Sequence, residues 1–138
     1  MTEPQDVARQ LGEAFATGDL VLLEPLLDSR VRWGAQDETP QTCHSRSDVL
    51  AWYGSAQAAG TRAVVTETQV LDDAVVLGLT MTGPGWGPGN GRPARIFQAF
   101  RLAGGLIIDI RGYNTREEAL AVARTPVPAP GAPQPDHP

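Results

Sequence analysis

Cys43 and His44 stand side by side in a polar segment just before a predicted helix. A lone histidine can act as a general base near neutral pH. The same histidine and the helix N-terminus would both stabilise a thiolate at Cys43. The alternatives are an exposed or helix-capping histidine and a small structural cysteine, and both alternatives stay open for this pair.

The remaining composition excludes several kinds of chemistry. All 11 basic residues are arginine, so a lysine Schiff base and a phosphate-loop lysine are excluded. A single cysteine allows no internal disulfide, and the acids near His44 lack zinc-ligand spacing, so no metal site is expected. A net charge of -5 argues against nucleic-acid binding.

The two ends of the sequence predict location and domain limits. The first residues have no basic, apolar leader pattern, and no apolar run reaches membrane-spanning length, so a cytoplasmic protein without membrane contact is expected. Six of the 12 prolines lie in 125–138. We therefore expect one domain over 1–124 and a disordered tail over 125–138, with a PxxP docking peptide as the alternative.

Helical spacing marks three elements in the first half of the chain. The first helix is predicted to end at Gly18, and Asp19 is a predicted N-cap for a second helix that Pro25 shortens. A strand over 30–34 follows, with Val31 and Trp33 on one face and Arg30 and Arg32 on the wet face. A third helix, capped by Ser45 or Ser47, ends at Gly60.

Four strands are predicted in the second half, over 61–71, 74–82, 94–102 and 106–113, followed by a short helical turn over 116–123. In the second of these strands, Val75 and Leu77 share a face with Met81. The 83–93 loop holds five glycines, but it joins two strands and no lysine follows it, so a nucleotide loop is rejected. Trp86 in this loop either covers a pocket mouth or lies in an ordinary connection.

Four segments carry a family resemblance through their order and spacing: AFATGDLVLLEPLLDSRVRW, CHSRSDVLAWY, LDDAVVLGL and RLAGGLIIDIRGYNTREEAL. Over about residues 5 to 123 the chain resembles the SnoaL-like branch of the nuclear transport factor 2-like superfamily. The resemblance implies an α+β fold, in which a cone-shaped, curved antiparallel sheet packs against three N-terminal helices around a deep pocket. It also implies a homodimer formed through the sheet, but no particular reaction.

Within this resemblance, carboxylates are the expected catalytic groups. Asp37 or Glu38 after the first strand, Glu67 in the second strand and Asp109 in the last strand are the available carboxylates. Asp37 and Asp109 are the catalytic candidates beside His44. Asp109 shares a strand face with Arg111, so an ion pair at a surface or dimer interface is the alternative.

Two departures from the family weaken particular reactions. Phe97 stands two residues after Arg95, where the epoxide hydrolases of this fold would have an acid. Asn114 stands near the end of the last strand, where the cyclases have an acid, and an amide cannot abstract a proton.

The cone implied by the resemblance places a set of mainly aromatic residues in the pocket. Gln98, between Ile96 and Phe100, is the polar residue expected to point inward, where a ligand would supply its hydrogen bond. The predicted ligand-pocket residues are Trp33, Trp52, Tyr53, Met81, Trp86, Gln98, Phe100 and Tyr113.

These patterns predict a domain that binds a small apolar or polycyclic molecule. If it is an enzyme, it is expected to carry out isomerisation, cyclisation or dehydration by acid-base chemistry without a cofactor. The alternative is a non-catalytic binding or dimerisation domain whose interior is filled by side chains. The smooth face of Val76, Gly78, Thr80 and Thr82 is the expected dimer surface.

Overall fold

The computed structural model describes residues 3–35, 40, 42–83 and 94–125. Its helices are α1 (Pro4–Thr17), α2 (Leu20–Leu23), α3 (Arg46–Ala58) and α4 (Arg116–Ala123). Its strands are β1 (Leu27–Ala35), β2 (Arg62–Val70), β3 (Ala74–Thr82), β4 (Ala94–Ala103) and β5 (Leu106–Tyr113). None of the helices in this part of the chain is long and apolar enough to cross a bilayer.

The predicted helix signals act where the sequence places them. Gly18 adopts a left-handed conformation with φ of 69° and ends α1. The Asp19 carboxylate accepts a hydrogen bond from the backbone N–H two residues ahead and so caps α2. Pro25 lies in a 3₁₀ turn that ends α2 after one turn. Ser45, rather than Ser47, caps α3.

The five strands form an open sheet in the order β1-β5-β4-β3-β2. The predicted α+β fold is confirmed, but one strand pair differs from the antiparallel expectation. β1 runs parallel to β5, whereas the other pairs are antiparallel. A helix and three strands separate β1 from β5 along the chain, so no hairpin turn fixes the direction of this pair.

Both faces of β3 are apolar, and a layer of helices covers each one. Val75, Leu77 and Leu79 point to the inner face, where they join the core formed with α1 and α3. Val76 points to the outer face, where it packs with Phe97 and with residues of α4. The sheet is therefore the middle layer of three.

Hydrogen bonds from arginine side chains hold α4 against the outer face at both ends. At its N-terminus, Arg116 binds the Glu67 carboxylate through two hydrogen bonds, of 2.8 Å from Nε and 2.6 Å from Nη2. The same guanidinium lies 5.5 Å from the centroid of the Phe97 ring. Past its C-terminus, the Thr125 hydroxyl accepts a 3.0 Å bond from Arg101. Thr125, predicted to begin the tail, therefore contacts the sheet.

The outer face is not the bare surface that the sequence suggested for a dimer. Val76 is fully buried beneath α4. Gly78 is covered by side chains, since a Cβ atom at that position would lie 2.8 Å from Cγ of Glu67. The sequence analysis treated α4 only as a possible last turn and so missed its cover. Homodimer formation itself stays a prediction.

Glu67→Gln removes the carboxylate that holds the first turn of α4. The hydrogen bonds from Arg116, followed by that from Gln69, lower the pKa of Glu67 from 4.5 to about 2. Since the folded-state pKa lies below the ordinary value, this stabilisation is fully present above about pH 4.5 and is lost as the pH falls towards 2. We expect the variant to have a lower free energy of unfolding at neutral pH.

Urea titrations across the acid range measure this difference. The gap between the wild-type protein and Glu67→Gln should narrow as the pH falls. Glu117→Gln is the matched control, because Glu117 is an exposed carboxylate in the same turn of α4. A gap that stays constant down to the lowest pH would contradict the assigned role of Glu67.

Candidate active site or binding cavity

A cavity of about 540 Å³ lies between the helical layer and the inner face of the sheet. The C-terminal end of α1, the buried side of α3 and the strands β1 to β4 contribute to its walls. The lining residues of the aromatic and polar kinds are Phe15, Thr17, Trp33, Trp52, Tyr53, Gln57, Thr61, Arg62 and Gln98. Aliphatic side chains, including Leu79 and Met81, fill much of the remaining wall.

Four aromatic rings form one wall of the cavity. The ring centroids of Trp33 and Trp52 are 4.2 Å apart, and Tyr53 lies edge-on to both. Phe15 extends this wall from α1, with its centroid 6.0 Å from that of Tyr53. Because the four rings contact one another, they form one side of the cavity and do not extend across it.

The Tyr53 hydroxyl is the phenol of this wall. It accepts a 3.2 Å hydrogen bond from Nε1 of Trp33. Burial raises the pKa of Tyr53, more strongly than the hydrogen bond from Trp33 lowers it. The phenol therefore stays protonated at neutral pH.

Gln98 is a buried polar residue on the inner face of β4. It is only 6% exposed, and its Oε1 atom has no hydrogen-bond partner among the described residues. Its neighbours across the strand ladders are Leu77 on β3 and Gly112 on β5. A Cβ atom added at Gly112 would meet no described atom within 4 Å. Gln98 thus borders apolar and open surroundings.

Arg62 is the one charged residue among the described residues that line the cavity. It is exposed at the start of β2, and its Nη1 donates to the backbone carbonyl of Thr61 at 2.9 Å. The described lining contains neither a carboxylate nor an imidazole.

Asp109, a predicted catalytic residue, lies away from the cavity. Its register opposite Arg101 places it on the outer face of the sheet, where it is 3% exposed. Arg101 binds it through bonds of 3.1 and 2.8 Å, and Arg111 approaches at 3.2 Å, as the expected ion pair. Arg32, predicted to be wet, instead lies 3.8 Å from this carboxylate and is largely buried.

Cys43 and His44 also lie outside the cavity lining. The backbone of Cys43 pairs with that of Trp33 as an isolated bridge, and its side chain is buried. Burial, together with the charge of Asp48, raises the pKa of the Cys43 thiol, which favours the structural cysteine over the thiolate. His44 is exposed.

The predicted pocket residues divide into three groups. Those that line the cavity are Trp33, Trp52, Tyr53, Met81 and Gln98. Phe100 is on the same face but fully buried in the core, and Tyr113 is on the opposite face against α4, so neither lies at the cavity wall. Asp37 and Trp86 lie outside the described residues.

The α1 part of the cavity was not predicted from the sequence. Phe15 sits in the last turn of α1 and lines the cavity. Gln57, from the last turn of α3, donates a 2.8 Å bond to the Gly18 carbonyl and so joins the two helix ends. Across 3–35, 40, 42–83 and 94–125, no three His, Cys, Asp or Glu side chains are grouped to hold a metal ion.

Sequence comparison gives a family match. The family model described as "SnoaL-like domain" matches residues 8–110, which is most of the chain. A comparison with curated proteins gives no match.

Solved structures of low sequence identity share the fold. A protein from Xanthomonas campestris with a cystatin-like fold has a TM-score of 0.65 at 20% identity, with 86% of this chain and 97% of that chain covered. An NTF2-like protein from Mesorhizobium loti has a TM-score of 0.65 at 21% identity, covering 81% and 90%. A protein from Pseudomonas putida, named a "putative polyketide cyclase", has a TM-score of 0.64 at 17% identity, covering 85% and 94%.

Asp109→Asn separates a structural carboxylate from a catalytic one. The substitution leaves buried arginines around a neutral side chain, so we expect it to cost on the order of 3–5 kcal/mol in the free energy of unfolding. Asp73→Asn, at an exposed turn, is the control and should change that free energy by less than about 0.5 kcal/mol. Denaturant titration measures both. A fully stable Asp109→Asn protein would contradict the structural role.

Proposed function

The chain belongs to the SnoaL-like domain family, and we propose that its cavity binds a small, mainly apolar molecule. The observation that carries this proposal is the open space of about 540 Å³ on the inner face of the sheet. Small-molecule sites commonly have volumes of about 300–1,000 Å³ with apolar walls and a few polar groups. The aromatic wall and the buried Gln98 amide fit that description.

The aromatic wall would supply much of the binding energy. Trp33, Trp52 and Tyr53 are partly exposed and contact the cavity, so a ligand can remove their remaining apolar surface from water. Burial of apolar area contributes roughly 25 cal/mol per Å². A filled interior, the alternative from the sequence, would leave no such area to cover.

Cofactor-free acid-base catalysis on the bound molecule is a second candidate, favoured by the name of the Pseudomonas putida relative. Such catalysis needs a group that can take up or give a proton at the ligand. Asp109 is on the outer face and His44 is exposed. Asp37, with Glu38 as the alternative, is then the carboxylate that could fill this role, and both lie outside the described residues. Asp37→Asn should leave binding intact and stop any turnover.

Trp33→Ala and Phe100→Ala distinguish an open cavity from a closed core. Phe100 is fully buried, so its truncation should cost about 3–5 kcal/mol in the free energy of unfolding. Trp33 already borders the cavity, so its truncation mainly enlarges existing space and should cost clearly less. Denaturant titration measures both values.

The wild-type protein and Trp33→Ala are also compared for ligand binding. A panel of hydrophobic ligands should quench the tryptophan fluorescence of the wild-type protein, and Trp33→Ala should weaken binding of those ligands. Equal, large destabilisation by both substitutions, with no quenching by any ligand, would favour the non-catalytic domain with a filled interior.

A further inference from the structure

The Gln98 side chain lies in an unfavourable position for a protein without a ligand. A primary amide can both donate and accept hydrogen bonds, and burying it without partners destabilises the folded state. Only 6% of Gln98 is exposed, yet its Oε1 atom has no hydrogen-bond partner among the described residues. A leucine at this position would satisfy the apolar surroundings better. A buried polar atom without a partner in a native structure needs an explanation, and a ligand would supply one.

The ladder neighbours of Gln98 are uncharged. Leu77 and Gly112 flank it, and the cavity lining that Gln98 shares with Tyr53 carries a protonated phenol. Arg62, the one charged side chain of the described lining, is exposed at the start of β2. An ionised ligand group beside Gln98 would lose its hydration without gaining an opposite charge.

Gly112 leaves room beside the amide. It pairs with Gln98 in the β4–β5 ladder, so both residues present their side-chain positions to the inner face. A Cβ atom there meets no described atom within 4 Å, and the Gly112 backbone is not in the left-handed region. Glycine at this position therefore leaves room beside Gln98, and the backbone conformation does not require it.

We propose that Gln98 is the polar anchor of the cavity and that the ligand is an uncharged amphiphile. Its hydroxyl or amide N–H group donates a hydrogen bond to Oε1 of Gln98, and its apolar body lies along the aromatic wall. This inference rests on the proposed binding function and adds to it the chemical class of the ligand and the residue that selects it.

Three probes of equal chain length test the class: 1-octanol, octanoate and octylammonium. Isothermal titration calorimetry should show that the wild-type protein binds 1-octanol at least about tenfold more tightly than either ion. This ratio corresponds to the cost of leaving an ion without a counter-charge in an apolar site. Tighter binding of octanoate or octylammonium than of 1-octanol would overturn the proposal.

Two variants test the residue. Gln98→Leu should bind 1-octanol about five- to tenfold more weakly. Its melting temperature should be equal or higher, because the side chain whose buried Oε1 atom lacks a partner is replaced by an apolar one. Gln98→Glu should shift the preference towards octylammonium, because the variant introduces a negative charge. A purely structural role for Gln98 predicts instead a loss of stability with unchanged probe selectivity, and that result would overturn the proposal.

Gln69→Leu is the matched control on the other side of the sheet. Gln69 lies on β2 and donates to Glu67, away from the cavity lining. It should leave the ranking of the three probes unchanged. If the wild-type protein binds none of the probes, the binding function itself fails. If it binds them and Gln98→Leu changes neither affinity nor selectivity, the anchor alone fails.

Discussion

The double-sided burial of β3 is the constraint on which the rest of the structure depends. Val75 and Leu77 face one side and Val76 faces the other, and all three are fully buried. A strand with two apolar faces cannot lie at the surface, so the sheet needs a helical layer on each side. α1 to α3 supply the inner layer, and α4 supplies the outer one. The outer layer packs closely on the sheet, whereas the inner layer leaves space against it, and that space is the cavity.

The outer layer is closed by charge as well as by packing. Glu67 and Asp109 each bind arginines, and these pairs fix α4 and the strand register on that face. The inner layer is held apart by its aromatic wall, in which rings from α1, β1 and α3 contact one another. Strand alternation keeps the two environments separate. The side chains of Arg101, Asp109 and Arg111 therefore stabilise the fold. The described cavity lining presents apolar surface, a neutral phenol, the Gln98 amide and the exposed Arg62.

The sequence predicts the elements well and the side of the sheet poorly. Gly18, Asp19 and Ser45 act through local hydrogen bonds and backbone conformation, which a sequence pattern can indicate directly. Period-two alternation shows that Val75 and Leu77 share a face, but not which face that is. Phe100 and Tyr113 were therefore both predicted in the pocket, although the strand registers put Phe100 on the inner face and Tyr113 on the outer face.

Two further features needed the assembled sheet. A register irregularity between Arg101 and Leu102 places both Ile107 and Ile110 in the inner core, and no pattern in the sequence marks it. An inward-pointing Gln98 was expected from its apolar neighbours. The room for a Cβ atom beside it at Gly112 depends on pairing between β4 and β5, which the local sequence does not show. Long-range pairing of this kind cannot be obtained from local composition.

A crystal structure of the protein with 8-bromo-1-octanol tests whether the cavity holds a ligand at Gln98, because anomalous scattering locates the bromine without ambiguity. We predict a bromine peak between the helical layer and the inner face of the sheet, with the alcohol oxygen within hydrogen-bond distance of the Gln98 amide. An interior closed by side chains, or a bromine peak found only on the outer surface, would contradict it.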